Sequence, residues 1–114
     1  MPISSADREN VGVMSERLYT GKRVKYGENP GVVVDVTRGD ERRPLSPRLD
    51  LNEHSTTLEW GYGTGGPAQL ALAILADVTG NDAYAERHYH WFKLDVVSRF
   101  AWDEWGLRES QIWD

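Results

Sequence analysis

Residues whose chemistry could carry a reaction are few in this chain, and they are scattered. His54 stands beside Ser55, a base next to a hydroxyl. Neighbouring residues of an extended chain point to opposite faces, so the pair reads as loop bracing rather than a nucleophile and its base. His88 and His90 are two positions apart. On a helix that separation turns them about 200° from each other, and they cannot share a metal ion without ligands from elsewhere. Glu59 is the more interesting acid. It precedes Trp60 and a run of glycine amides, where a carboxylate either braces the loop or works as a base with a shifted pKa; bracing is the expected role. No catalytic residue, metal site or cofactor is expected, and the chain reads as non-enzymatic.

The segment after Glu59 is the richest in the sequence. Gly61, Gly63 and Gly66 spell GxGxxG, and Pro67 then has its φ preset for a first helical turn. Free amides at such a helix start can hold phosphate. A dinucleotide fold, however, needs a second parallel strand with an acid about 20 residues on. Here one helical pattern is followed by another, so a structural loop is expected. The alternative is a small-ligand or nucleotide and anion site made by Glu59, Tyr62, Gly63, Thr64, Gly65, Gly66 and Gln69.

Composition bounds the partners. With 114 residues, 39% hydrophobic and 27% charged, the chain has the make-up of one globular domain. The absence of cysteine excludes disulfides, thiolate catalysis and cysteine-based metal sites. Leu70 to Ala76 is the longest apolar run, far short of the roughly 20 residues that span a bilayer. No membrane contact is expected, and the cytoplasm is the expected compartment. The net charge is −5, and residues 58–114 carry it, with four basic and nine acidic side chains against nine of each in residues 1–57. Such a surface disfavours direct nucleic-acid binding. Lys22, Arg23 and Lys25, and then Arg38, Arg42, Arg43 and Arg48, form local basic clusters that read as solvated loop charges.

The elements that must position these residues follow from periodicity. Residues 1–15 are polar and are expected to form a disordered arm. The body is expected over 16–106 and a tail over 107–114. Arg17 to Tyr26 alternates around Thr20-Gly21, which suggests a strand, a turn and a continuation. A turn at Glu28-Asn29-Pro30-Gly31 leads to the strand Val32 to Thr37 and an antiparallel hairpin. Residues 38–57 read as a long proline-punctuated loop, and Thr56 to Trp60 as a third strand. The first helix, Pro67 to Thr79, is apolar nearly all round and must be covered on most sides. Gly80 caps it, Asn81 or Asp82 starts the second helix, and that helix is expected to run to about Ala101, burying Ala85, Tyr89, Phe92, Val96 and Phe100. Asp95 and Arg99 are spaced to pair on its flank. The fold class is α+β: a small antiparallel sheet of two to three strands in the N-terminal half, packed on a C-terminal helix hairpin.

Trp102, Trp105 and Trp113 crowd the last 13 residues around Asp103 and Glu104. They either plug the core or present a sticky surface. With Glu86 they make the candidate partner-binding set, and a homodimer closing over the tryptophans is a further possibility.

The run from Leu58 to Leu75 resembles a domain family of unknown function from bacterial, archaeal and phage genomes, marked by FEWGYxGxGPAQLALAIL. Here the motif reads LEWGYGTGGPAQLALAIL. Leu58 stands where an aromatic is usual, and Thr64-Gly65 varies the loop. His54-Ser55, Asp77 to Gly80 and Phe92-Lys93 extend the similarity to about half of the chain. The resemblance implies a phage or mobile-element accessory protein and brings no catalytic residue. The expected function is a non-enzymatic protein-interaction module, with an acidic inhibitor of a host nucleic-acid-handling or defence complex as its sub-class.

Overall fold

The computed structural model describes residues 16–113; the arm expected over 1–15 lies outside them. A four-stranded antiparallel sheet is built from β1 (Leu18–Tyr26), β2 (Asn29–Arg38), β3 (Glu41–Pro44) and β4 (Glu104–Arg108) in the order β3-β2-β1-β4. Between β3 and β4 the chain forms α1 (Gly65–Thr79), α2 (Asp82–Asp95) and a 3-10 turn over Val97–Arg99, and a short α3 (Glu109–Ile112) follows β4. The fold is α+β as expected, but the sheet has four strands rather than two to three.

Each departure has a local cause. The first hairpin turns at Gly27-Glu28, ahead of the expected Glu28 to Gly31, because Gly27 takes the positive φ of 67° that such a tight turn needs. Gly39 repeats the device at φ 62° and starts β3 inside the stretch expected to be all loop. Thr20-Gly21 is no turn. β1 runs straight through it, and Gly21 is needed because a Cβ there would run into the indole of Trp105 on the paired strand.

Thr56 to Trp60 is not a strand, since its backbone braces the helices instead. Glu59 N–H donates to the Gly66 carbonyl (3.3 Å), and Gly61 N–H donates to the Val97 carbonyl (3.1 Å). Helix α2 stops at Asp95, short of the expected Ala101, and a 3-10 turn follows. In the 3-10 turn the Val97 carbonyl accepts from Phe100 N–H (3.2 Å) as well as from Gly61, and Phe100 leaves the helix to stack on Trp105 at 4.1 Å. Asp95 and Arg99 accordingly form no ion pair among the described residues.

Helix α1 is the centre of the molecule. Every residue from Gly66 to Ala76 is buried, because the sheet contributes Tyr19, Val34, Val36, Trp105 and Leu107, α2 contributes Ala85 and Phe92, and the long loop adds Leu45. An apolar circumference is what a helix covered on all these sides requires. Gly80 closes it at φ 64° with its N–H on the Ala76 carbonyl, and the Asn81 side chain accepts from Tyr84 N–H at 3.0 Å to start α2. No helix among the described residues is long and apolar enough to cross a membrane.

Candidate functional site

The motif residues form one corner of the molecule, where β1, the glycine loop and the end of the helical segment meet. Strand alternation puts Arg23 on the same face of β1 as Tyr19 and Gly21, turned away from Lys22 and toward the helices. There its guanidinium makes a bidentate pair with Glu59, Nη2 to Oε1 at 2.8 Å and Nη1 to Oε2 at 3.1 Å. Its Nε donates to the Trp102 carbonyl at 2.8 Å. The same carbonyl accepts Trp60 Nε1–H at 2.8 Å.

Two aromatic faces complete the corner. Arg23 lies 3.6 Å from the Trp102 ring centroid and 4.6 Å from that of Trp60, so the cation sits between a buried and an exposed indole. Trp60 is fully buried, whereas Trp102 is 56% exposed. Gly61, at φ 87°, carries no side chain because a Cβ there would press on the Trp102 ring. A groove of about 420 Å³ opens beside the pair, with Val24, Pro30, Val32 and Thr57 between Arg23 and Glu59.

The start of α1 is closely packed at Gly65 and Gly66. Glu59 and the Tyr62 hydroxyl lie against Gly66, and the His54 carbonyl lies against Gly65. Gly63 and Thr64 are exposed, and the Thr64 side chain makes no capping bond. Burial and the Glu59 charge push the Tyr62 hydroxyl pKa up. Gln69 is fully buried and turned away from this corner. Its Nε2 donates to the carbonyls of Pro47 and Asn52, and its Oε1 accepts from the amides of His54 (2.8 Å) and Ser55 (3.3 Å). It anchors the long loop to α1. Arg48 clips the same loop to α2, with Nε on Asp50 at 3.0 Å and Nη2 on Asp82 at 2.9 Å.

The histidines are not brought together as a catalytic set. The His54 ring is 5.0 Å from that of Tyr89, and Ser55 Oγ accepts from Thr57 N–H at 3.1 Å. The His88 ring lies 4.2 Å from that of Tyr84 at a tilt of 41°, and His90 meets Tyr89 edge-on. Among the described residues no group of three or more His, Asp or Glu could hold a metal ion.

The candidate partner-binding residues are dispersed. Trp102, Asp103 and Glu104 are exposed at the end of β4 nearest the corner, and Trp113 is exposed beyond its other end. Glu86 is exposed on α2. Trp105, 8% exposed, packs edge-on to Trp60 and is withdrawn into the core. Two contributors were missed from sequence, Arg23 and Asp77. Arg23 was hidden in a basic cluster, although the period-two alternation separates it from Lys22. Asp77, carried by the otherwise apolar α1, accepts from the Tyr19 hydroxyl at 2.7 Å and pairs with Arg43 Nη2 at 2.6 Å.

A family model described as "Family of unknown function (DUF6166)" matches residues 19–114, and the chain therefore belongs to that family. No curated protein and no solved structure matches it.

Proposed function

We propose that this member of the family is a non-enzymatic protein-interaction module whose binding centre is the Trp102 corner. One observation carries the reading: Trp102 is more than half exposed, yet its ring is held over the Arg23 guanidinium and its carbonyl accepts two hydrogen bonds. Large apolar rings left in water but fixed in place are the usual anchors of interfaces, since little side-chain entropy remains to be lost on binding. The apolar groove beside Arg23 and Glu59 suits an inserted side chain.

The charge pattern favours a basic partner surface. Asp103, Glu104 and Glu86 are exposed, and none forms an ion pair among the described residues. A host nucleic-acid-handling or defence complex has that chemistry, and a phage or mobile-element accessory role in the cytoplasm belongs to the same proposal. The ligand-binding alternative has less support, because Gln69 is occupied with the long loop and Glu59 with Arg23.

The test is a tagged pull-down from the native host with quantitative mass spectrometry, comparing the wild type with Trp102→Ala. A stoichiometric partner retained by the wild type and lost from a variant of unchanged melting temperature supports the proposal. A partner held equally by both moves the site elsewhere. Thermal-shift screening against nucleotides and anions tests the alternative, since a ligand at 100 times its Kd stabilises by about 2.7 kcal/mol.

A further inference from the structure

Helix α2 has a second face that the core does not use. It buries Ala85 and Phe92, while Tyr84, Trp91 (43% exposed) and Leu94 (49% exposed) point outward. These are three of the eight large apolar side chains exposed among the described residues, and all three lie on one 14-residue helix. Arg87, Trp91 and Asp95 follow one another at four-residue steps and so form a single ridge. Arg87 and Asp95 are exposed, and neither makes an ion pair among the described residues.

That ridge is self-complementary. We propose that the outer face of α2 pairs with the same face of a second copy of the chain, antiparallel about a two-fold axis through Trp91. Arg87 and Asp95 each stand four residues from Trp91, on opposite sides. The axis therefore sets Arg87 of each copy against Asp95 of the other, and the charge contact forms twice. Leu94 and His88 each stand three residues from Trp91. The same axis lays Leu94 of one copy on the tilted Tyr84–His88 ring pair of the other, whose centroids are 4.2 Å apart. Ridges of four-residue spacing on both helices interdigitate in the commonest helix-packing class of globular proteins. A parallel arrangement in register would instead place Arg87 on Arg87 and Asp95 on Asp95. This pairing uses none of the residues of the Trp102 corner.

Sedimentation velocity over micromolar to millimolar concentrations reads the result. The wild type is expected to convert from the 13.0 kDa chain to a species of twice that mass, and Trp91→Ala to remain monomeric. Arg87→Asp and Asp95→Arg each bring like charges together at both contacts and weaken self-association about tenfold. Mixing those two variants restores the dimer, because every acidic side chain then faces a basic one. Melting temperatures equal to the wild type show that the variants fold. If Trp91→Ala melts lower, Leu94→Gln reads the same face. A monomer at all concentrations, a dimer indifferent to Trp91→Ala, or two folded charge variants that fail to associate on mixing would each overturn the proposal.

Discussion

Arg23 of β1 and Glu59 of the segment before α1, 36 residues apart in sequence, form a bidentate ion pair at 2.8 and 3.1 Å on the underside of an exposed tryptophan. The pair joins the sheet to the glycine loop and fixes where Trp102 stands. Both side chains are about one-fifth exposed, so neither charge is fully screened when the other is removed.

Glu59→Gln is therefore expected to destabilise the fold by about 1–3 kcal/mol, since Arg23 keeps its carbonyl contact but loses its counter-charge. Urea unfolding followed by tryptophan fluorescence measures it. A loss below about 0.5 kcal/mol would show that the pair behaves like a surface salt bridge.

Gln69→Leu deprives two backbone amides and two carbonyls of their partner at once. The expected cost is about 3 kcal/mol or more, with early proteolytic cutting between residues 45 and 58. Gln69→Glu keeps the acceptor but turns a carboxylate oxygen toward the Pro47 and Asn52 carbonyls. That environment raises the folded-state pKa of the new acid. The contribution of that acid to stability is then fully present below the unfolded carboxylate range and is lost as pH rises from there through the raised folded-state pKa, the opposite of what pairing with a cation would give.

Gly66 and Gly63 separate packing from mere flexibility. A Cβ on Gly66 would stand 2.5 Å from the Glu59 Cβ, whereas at Gly63 it meets nothing within 4 Å. Gly66→Ala should lower the melting temperature by several degrees, about 1–3 kcal/mol, and Gly63→Ala should change it little. Equal effects in calorimetry would contradict the close approach of Glu59.

The Tyr19 hydroxyl, buried and donating to Asp77, has its pKa raised above the ordinary tyrosine value of 10.0, chiefly by burial and then by that hydrogen bond. In the unfolded chain it ionises near 10, while in the fold it stays protonated. Its contribution is fully present below about pH 10 and is lost as pH climbs above it. Tyr19→Phe should cost about 1–2 kcal/mol at pH 7 and flatten the alkaline decline in stability. An unchanged decline between pH 9 and 11 would assign it to other groups, Tyr62 among them.

Local patterning was enough to read α1, its Gly80 cap, the Asn81 start of α2 and the first hairpin, because caps, turns and an apolar circumference are written in neighbouring residues. It also singled out Glu59, though not its pairing with Arg23 of β1. β3 and β4 were not legible. One is three charged residues and a proline and the other alternates Trp105 and Leu107 with charged or small neighbours, so both are defined by the strands they pair with rather than by their own composition. Only the tertiary structure decided that Trp105 is core and Trp102 surface. Both are indoles three residues apart, and what separates them is that Gly21 leaves room for one ring while Arg23 offers a cation to the other. Which partner Glu59 takes, and that Gln69 hydrogen-bonds the long loop, follow likewise from contacts across long stretches of chain.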